Sequence, residues 1–312
     1  MRLSTKKSLP SGNKLSFKYN EGVKTTNVEL RKGVMMIKKD PITKAKIFRK
    51  LHEKTPFLLP NAWNGGSAKI FASQGFSAIG TTSAGISYAM GYADGENIGF
   101  ADLLKVTKEI VNAVDLPISV DIERGYGASL DEIVDHVKSI ILCGAIGINI
   151  EDGLPQQGSV DDQATFVEKI QAIAEVRTQI GIPFVINART DIYLLGVGDE
   201  KYRLDMTLKR AQALRKAGAD CIFIPDVSDE TVIKQLRAEI ELPINLLVHP
   251  NFCDIEKMRD IGINRLSSGS APVRATMKRL MTVAKDFNRG ECADMMNHDF
   301  SYAKANELFN KK

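Results

Sequence analysis

The run SVDIERGYGAS (119–129) ends a string of apolar residues on two acids, Asp121 and Glu123, before a Gly-Tyr-Gly turn. Residues two apart on a strand point to the same face, so both carboxylates are expected on one side. NIEDG (149–153) ends a second apolar run on Asn149, Glu151 and Asp152, and NARTD (187–191) a third on Asn187, Arg189 and Asp191. If the first two runs are neighbouring strands about 4.8 Å apart, Asp121, Glu123 and Glu151 crowd one corner. Two unit charges about 4 Å apart repel by roughly 4 kcal/mol at a typical effective dielectric. Protonation, a cationic side chain or a metal ion must offset this. Arg189 supplies one charge only. A hard divalent cation, Mg²⁺ or alternatively Mn²⁺, held by carboxylates and several waters, suits the corner better.

These residues need elements to carry them. Eight short apolar runs, at 56–63, 75–83, 116–123, 145–152, 182–191, 219–226, 242–249 and 263–270, alternate with amphipathic stretches such as FADLLKVTKEIVNAV and MTLKRAQALRKAG, the latter ended by Gly218. Near-continuous apolar strands with helical crossovers predict a parallel sheet covered by helices. Eight units match the (β/α)8 TIM-type barrel, whose active sites lie at the C-terminal strand ends. A doubly wound open sheet is the alternative, but the turn after the first strand, NAWNGGSAK, lacks its Gly-rich fingerprint. Polar residues gather at the strand ends expected to form one rim, whereas the N-terminal ends are mostly Pro, Ala, Ile and Leu.

Hydrophobic residues make up 44% of the 312 and charged ones 26%, as in globular proteins with a sizeable core. No apolar run approaches the roughly 18 residues of a membrane span, so no membrane partner is expected. The net charge of +4 is uneven: residues 1–40 hold ten Lys or Arg against three acids, leaving the rest at −3. The leader, 1–40, reads as basic and disordered; a targeting role, or a true start at Met35 or Met36, are further readings. The body from 44 to 312 reads as the barrel domain with a C-terminal helical extension. It is slightly acidic and shows no basic motif, so no nucleic-acid partner is expected. The four cysteines, Cys143, Cys221, Cys253 and Cys292, show neither paired nor zinc spacing, which fits a reduced, cytoplasmic setting.

The segments GFSAIGTTSAGIS, GYADGE, DIERGYG, NIEDG and NARTD, in that order, resemble the isocitrate lyase and phosphoenolpyruvate mutase superfamily, from about residue 44 to the end. The tail MMNHDFSYAKANELF resembles a small bacterial branch of it. The resemblance implies a barrel whose last helix is exchanged between subunits of a homodimer or homotetramer. It also implies a Mg²⁺ that polarises a 2-oxo acid and stabilises the enolate formed when a C–C or C–P bond breaks. Carried over by motif, Asp121 is the most direct metal ligand, with Asp94, Glu123 and Glu151 beside it, partly through water. Arg189 holds the substrate carboxylate as a bidentate fork. Asn187 counts with it, and the turn Ser83-Ala84-Gly85 offers backbone N–H groups to the same carboxylate.

Two departures bear on the reaction. Glu123 stands where the family commonly has Asp. The loop after the fourth strand, EDGLPQQGSVDDQATF, has no Cys, His or Lys before Lys169, so the lyases' usual Cys and the mutase's Lys are both missing. Cleavage of isocitrate or methylisocitrate and phosphono transfer are then disfavoured, and decarboxylation or C–C cleavage beta to the keto group remains. His249, ending the seventh strand, is the candidate proton carrier; it reads equally as a loop histidine before Pro250. Tyr126 reads as a turn aromatic or as a hydroxyl above the site. Cys253 is expected to begin a helix, and Cys143 and Cys221 to be small core residues. SSGSAP after the eighth strand reads as a phosphate-binding turn or a plain helix start. The classes left open are a Mg²⁺-dependent enzyme cleaving a small 2-oxo or 2-hydroxy dicarboxylate, a phosphonate-handling mutase or hydrolase, and a non-catalytic 2-oxo acid binder.

Overall fold

The computed structural model describes residues 40–53, 56–250 and 254–310, together with Leu30–Arg31 and Val34–Met35. The last two segments form a short antiparallel ladder. The rest of 1–39, and with it the reading of a disordered leader, lies outside the described residues, as does Cys253.

Each of the eight apolar runs contains a strand: β1 (Phe57–Leu59 and Asn61–Ala62), β2 (Ile79–Thr81), β3 (Ile118–Asp121), β4 (Gly147–Glu151), β5 (Val185–Arg189), β6 (Cys221–Ile224), β7 (Ile244–Leu247) and β8 (Arg265–Ser267). Each pairs in parallel with the next, and β8 returns to β1. Pro60 has no N–H for the ladder, and it divides β1. The segment before it pairs with β8 and the segment after it with β2. Asn61 ties the division together: its amide donates to the Thr81 carbonyl (2.7 Å), and its Oδ1 accepts from the Gly269 N–H (2.9 Å). The ring is a (β/α)8 barrel closed except at this proline.

The helices are α1 (Pro41–Glu53), α2 (Gly65–Ser73), α3 (Ser83–Ala89), α4 (Phe100–Ala113), α5 (Leu130–Leu142), α6 (Gln163–Ile180), α7 (Glu200–Ala217), α8 (Glu230–Glu239), α9 (Ile255–Ile261), α10 (Ala271–Asn288), α11 (Ala293–Met296) and α12 (Tyr302–Asn310). Side-chain oxygens of Ser129, Asp162, Asp199, Asp229 and Asp254 cap α5 to α9. Apolar faces such as Leu103, Ile110, Val137, Ile141, Ile170 and Leu214 pack on the outside of the sheet. Helix α1 closes the other end of the barrel. Phe48 packs there with Leu59, Ile146 and Val185, and Arg49 bonds the Pro183 carbonyl (2.8 Å) and Asp220 (2.8 Å).

Barrel interiors of this kind are usually filled with layers of branched apolar side chains. Here part of the interior is polar. Asp121, Asn149 and Asn187 stand in register on β3, β4 and β5, and Asn245 and Arg265 on β7 and β8. Among the described residues no helix is long and apolar enough to cross a membrane.

Candidate active site

A cavity of about 360 Å³ opens at the C-terminal ends of the strands, lined among others by Ser83, Asp94, Asp121, Asn149, Arg189, Phe223 and Arg265. Asp121, the last residue of β3, is held on three sides. Its Oδ2 accepts from the Ser83 N–H (3.1 Å) and hydroxyl (2.9 Å), and its Oδ1 from the Asn149 amide (2.9 Å). Its own N–H donates to the Thr81 hydroxyl (2.8 Å). Behind Asn149, the Asn187 amide donates to Asn149 Oδ1 (2.9 Å). Asn187, expected against the substrate, is fully buried and is not among the cavity-lining residues. It orients Asn149, which orients Asp121.

Asp121 and Glu123 do not share a face. The strand ends at Asp121, and Glu123 adopts a left-handed backbone (φ 47°). Two-residue alternation holds only in extended backbone, so the Glu123 side chain turns away from the cavity. Its Oε1 accepts a short hydrogen bond from the Tyr126 hydroxyl, and its Oε2 accepts from the Glu96 N–H (2.7 Å). Glu96 answers by accepting from the N–H groups of Arg124 (3.1 Å) and Tyr126 (2.8 Å). Thus the GYADGE loop that carries Asp94 is latched to the DIERGYG turn.

The NIEDG and NARTD motifs interlock in the same way. Arg189 Nη1 pairs with Glu151 (2.7 Å), while Nε and Nη2 pair with Asp191 (2.6 and 3.0 Å). Asp152 accepts from the Asp191 N–H (2.9 Å). Gly153 lets Asp191 pass, since a Cβ there would lie 2.3 Å from its Oδ2. Arg189 lines the cavity, but the side-on edge expected to clamp a substrate carboxylate belongs to Asp191. What it can offer a ligand is its remaining N–H groups.

The turn Ser83-Ala84-Gly85 opens α3, and the expectation that it presents free N–H groups is corrected by the cap. Gly85 N–H goes to the Thr82 hydroxyl (3.3 Å) and Ser83 N–H to Asp121, which leaves Ala84 at the cavity wall. Gly85 is needed for space: a Cβ would meet Thr82 Cγ2 at 2.6 Å. His249 lies two residues beyond the end of β7, partly buried, and is not among the cavity-lining residues. No Cys, His or Lys lines the cavity among the described residues. Cys221 is buried in β6, and burial pushes its thiol up to about 12; Cys143 caps the end of α5. Sequence reasoning passed over Arg265, although an arginine two residues before Ser267 in an apolar run was the available signal.

The acids press on one another. Burial first, and the charge of Asp121 second, raise Asp94 above the usual carboxylate range. Burial pushes Glu123 up to about 7, with Asp121 and Asp94 adding to it against the Tyr126 hydrogen bond. Burial also raises Glu151 against the pull of Arg189. Mg²⁺ takes oxygen donors and keeps several waters. Among the described residues no three of His, Cys, Asp and Glu are set to hold an ion directly. The all-oxygen donor set at Asp94 and Asp121 therefore fits a Mg²⁺ bound in part through water.

The profile of the family described as phosphoenolpyruvate phosphomutase matches residues 48–288. The chain belongs to this family. The family lies within the phosphoenolpyruvate mutase and isocitrate lyase superfamily, whose members include lyases, mutases and hydrolases. An uncharacterised protein of Mycobacterium tuberculosis is 34% identical over 242 residues, 77% of this chain and 88% of that one. The 2-methylisocitrate lyase of Escherichia coli is 28% identical over 202 residues, 62% of this chain and 66% of the lyase. A solved structure of a proposed phosphonomutase of Burkholderia cenocepacia is 34% identical with a TM-score of 0.74, covering 79% of this chain and 99% of that chain. A phosphonopyruvate hydrolase solved with oxalate and Mg²⁺, at 21% identity and a TM-score of 0.75, covers 86% of this chain and 95% of that chain. It shares the fold.

Proposed function

We propose that the protein is a Mg²⁺-dependent enzyme that carries a small 2-oxo carboxylic acid through an enolate, most directly by cleaving a C–C bond beta to the keto group. The observation that carries this reading is the presence of two carboxylates, Asp94 and Asp121, and Arg189 in the lining of one cavity. Mg²⁺ held there, or Mn²⁺ in its place, would supply Lewis-acid stabilisation of charge growing on the 2-oxo oxygen. Glu123 and Glu151 support the site from behind: Glu123 fixes the Asp94 loop through Glu96, and Glu151 orients Arg189. The free N–H groups of Arg189 and the Ala84 N–H would face the substrate carboxylate. With no Cys, His or Lys lining the cavity among the described residues, the carbanionic carbon would take its proton from water. His249 remains a proton carrier only if ligand binding brings it in. Homodimer or homotetramer formation through the C-terminal helices is part of this reading; Leu280, Met281 and Phe287 on α10 and Met296 on α11 leave large apolar side chains exposed.

A second reading, phosphonate handling, is favoured by the family profile and by the Burkholderia protein. One experiment separates them. Purified protein with Mg²⁺ or EDTA is mixed with pyruvate, oxaloacetate, isocitrate, methylisocitrate or phosphonopyruvate and followed by NMR. Metal-dependent loss of a 2-oxo dicarboxylate supports the first, and phosphonopyruvate turnover the second. Metal-dependent binding with every compound intact would leave a non-catalytic binder.

A further inference from the structure

Among the described residues, those other than glycine that hold a left-handed backbone are Glu96, Glu123, Tyr126 and Asp226. That conformation is costly for a residue with a Cβ, and such strain gathers at functional sites. In the first three it is matched by hydrogen bonds within the latch between the Asp94 loop and the DIERGYG turn. Asp226, at φ 63° in the turn after β6, is different. An aspartate in this conformation ordinarily bonds the backbone close by. Here, among the described residues, the Asp226 carboxylate has no hydrogen bond and no ion pair. Its neighbours Pro225 and Val227 are buried, so the turn is anchored on both sides while Asp226 stays exposed in the cavity lining.

Its place in the ring sets what it can meet. β6 lies beside β5, with Phe223 in register with Arg189, and three strands round from β3. Asp226 is thus separated from the acids of the β2–β3 side and close to the strand that carries Arg189. Phe223, Pro225 and Leu247 line the same side of the cavity, and an apolar wall suits a carbon atom of a ligand better than a second anion. The other ionisable groups of the lining have their tasks or cannot serve. Asp94 and Asp121 belong to the proposed Mg²⁺, and Arg189, Arg265 and Arg274 do not give up a proton at neutral pH. Asp226 is the carboxylate left to take a proton and hand it on.

We infer that Asp226 is the acid–base group of the cavity, exchanging a proton with C3 of the 2-oxo acid. This rests on the reading of the cavity as a 2-oxo acid site and adds the group through which the enolate carbon meets water. In one direction a carboxylate oxygen of Asp226 takes a proton from C3. The C–H bond pair moves into the C2–C3 bond and the carbonyl pair onto the 2-oxo oxygen, which gives the enolate. In the other direction, after C–C cleavage has left the same enolate, protonated Asp226 returns a proton to C3 as the carbonyl re-forms. The acid O–H is replenished from water, and nothing is oxidised or reduced. A positioned group of this kind typically contributes about 10²–10⁴-fold to the rate.

The test is proton NMR of pyruvate in D₂O with the full chain and Mg²⁺, following loss of the methyl signal. Calorimetric titration with oxalate, a planar dianion shaped like the pyruvate enolate, and thermal melts of the metal-free protein run beside it. The wild type should exchange the methyl protons. Asp226→Asn, which keeps the shape and loses the basic oxygen, should slow exchange about hundredfold or more and leave oxalate affinity within about threefold. Asp226→Gly should slow exchange as much and regain it as formate is added. It should also melt no lower than the wild type, because glycine adopts φ 63° without strain. Exchange that persists in both variants overturns the role of Asp226 and leaves the enolate reading standing. So does oxaloacetate turnover by a wild type that does not exchange pyruvate. A Gly variant that loses exchange, oxalate affinity and melting temperature together also overturns it, since the carboxylate would then be holding the site in shape. Neither exchange nor turnover in the wild type, whether or not oxalate binds, overturns both.

Discussion

Arg189 gives the side-on edge of its guanidinium to Asp191, two residues further along the same strand end, at 2.6 and 3.0 Å. The arginine is therefore aimed by the protein before any ligand arrives. Asp191 is 1% exposed, and removing one partner of a buried pair typically costs about 3–5 kcal/mol. Asp191→Ala is expected to lose stability of that order in chemical denaturation. Asp191→Asn, which keeps the volume, should lose less stability but weaken 2-oxo acid binding roughly tenfold, since the fork loses its alignment. Unchanged affinity in Asp191→Asn would show that Arg189 needs no such aiming.

The same aspartate gives Gly153 its meaning. A methyl group at 153 would meet Asp191 Oδ2 at 2.3 Å, so Gly153→Ala must push the carboxylate off Arg189. It should lower both melting temperature and ligand affinity. Gly158→Ala is the control: its φ is +59° with nothing within 4 Å of the added carbon. It should cost about 1 kcal/mol of backbone strain and leave affinity alone.

The Asp94–Asp121 pair should trade stability against metal binding. The charge of Asp121 makes that of Asp94 harder to keep, so Asp94→Asn is expected to raise the melting temperature of the metal-free protein. The same variant should raise the Mg²⁺ dissociation constant roughly tenfold, one lost charged ligand being worth about 1.4 kcal/mol or more. Paired thermal melts with and without Mg²⁺ check both signs at once.

His52, at the closed end of the barrel, supplies a pH dependence. Its Nδ1 carries the proton given to the Phe48 carbonyl (2.9 Å), and its Nε2 is buried without a partner. Burial, and then the charge of Arg265, pull it down to about 3, against roughly 6.5 when unfolded. The unfolded chain takes up a proton that the folded one refuses. Stability from this group is therefore complete above about pH 6.5 and falls by up to about 1.4 kcal/mol per unit toward pH 3. Between pH 7 and 5 the wild type should lose roughly 2 kcal/mol more than His52→Phe; equal losses would place the histidine's titration elsewhere.

The ring of strands, its order and the rim were legible because apolar runs, turn residues and crossover helices all pointed to one architecture. Where the reading departs from the structure, it does so at strand ends: two-residue alternation puts Glu123 on the face of Asp121, and His249 reads as the end of the seventh strand. Yet β3 stops at Asp121 and β7 at Leu247, each two residues short. Beyond the last ladder hydrogen bond the period of two no longer constrains a side chain. Arg265 was passed over for the opposite reason: it lies inside a strand, where an apolar run was taken as core, and only the inward layer shared with Asn245 gives it away. Asn187 was rightly placed inward but assigned a ligand, because one chain alone does not reveal that Asn149 stands between.

The break at Pro60 sits where the two ends of the strand order meet. Neighbouring strands meet after one crossover, but the Asn61 contacts to Ser268 and Gly269 join residues 207 and 208 positions apart. Such a join, like the β8–β1 pairing beside it, carries the largest loop-closure entropy in the ring, and that cost is met before the contact rewards it. Asn61 and Gly269 also line the cavity. The pocket therefore depends on a contact between the first strand and the loop after the last, and a chain able to hold a ligand there is one in which those two have met.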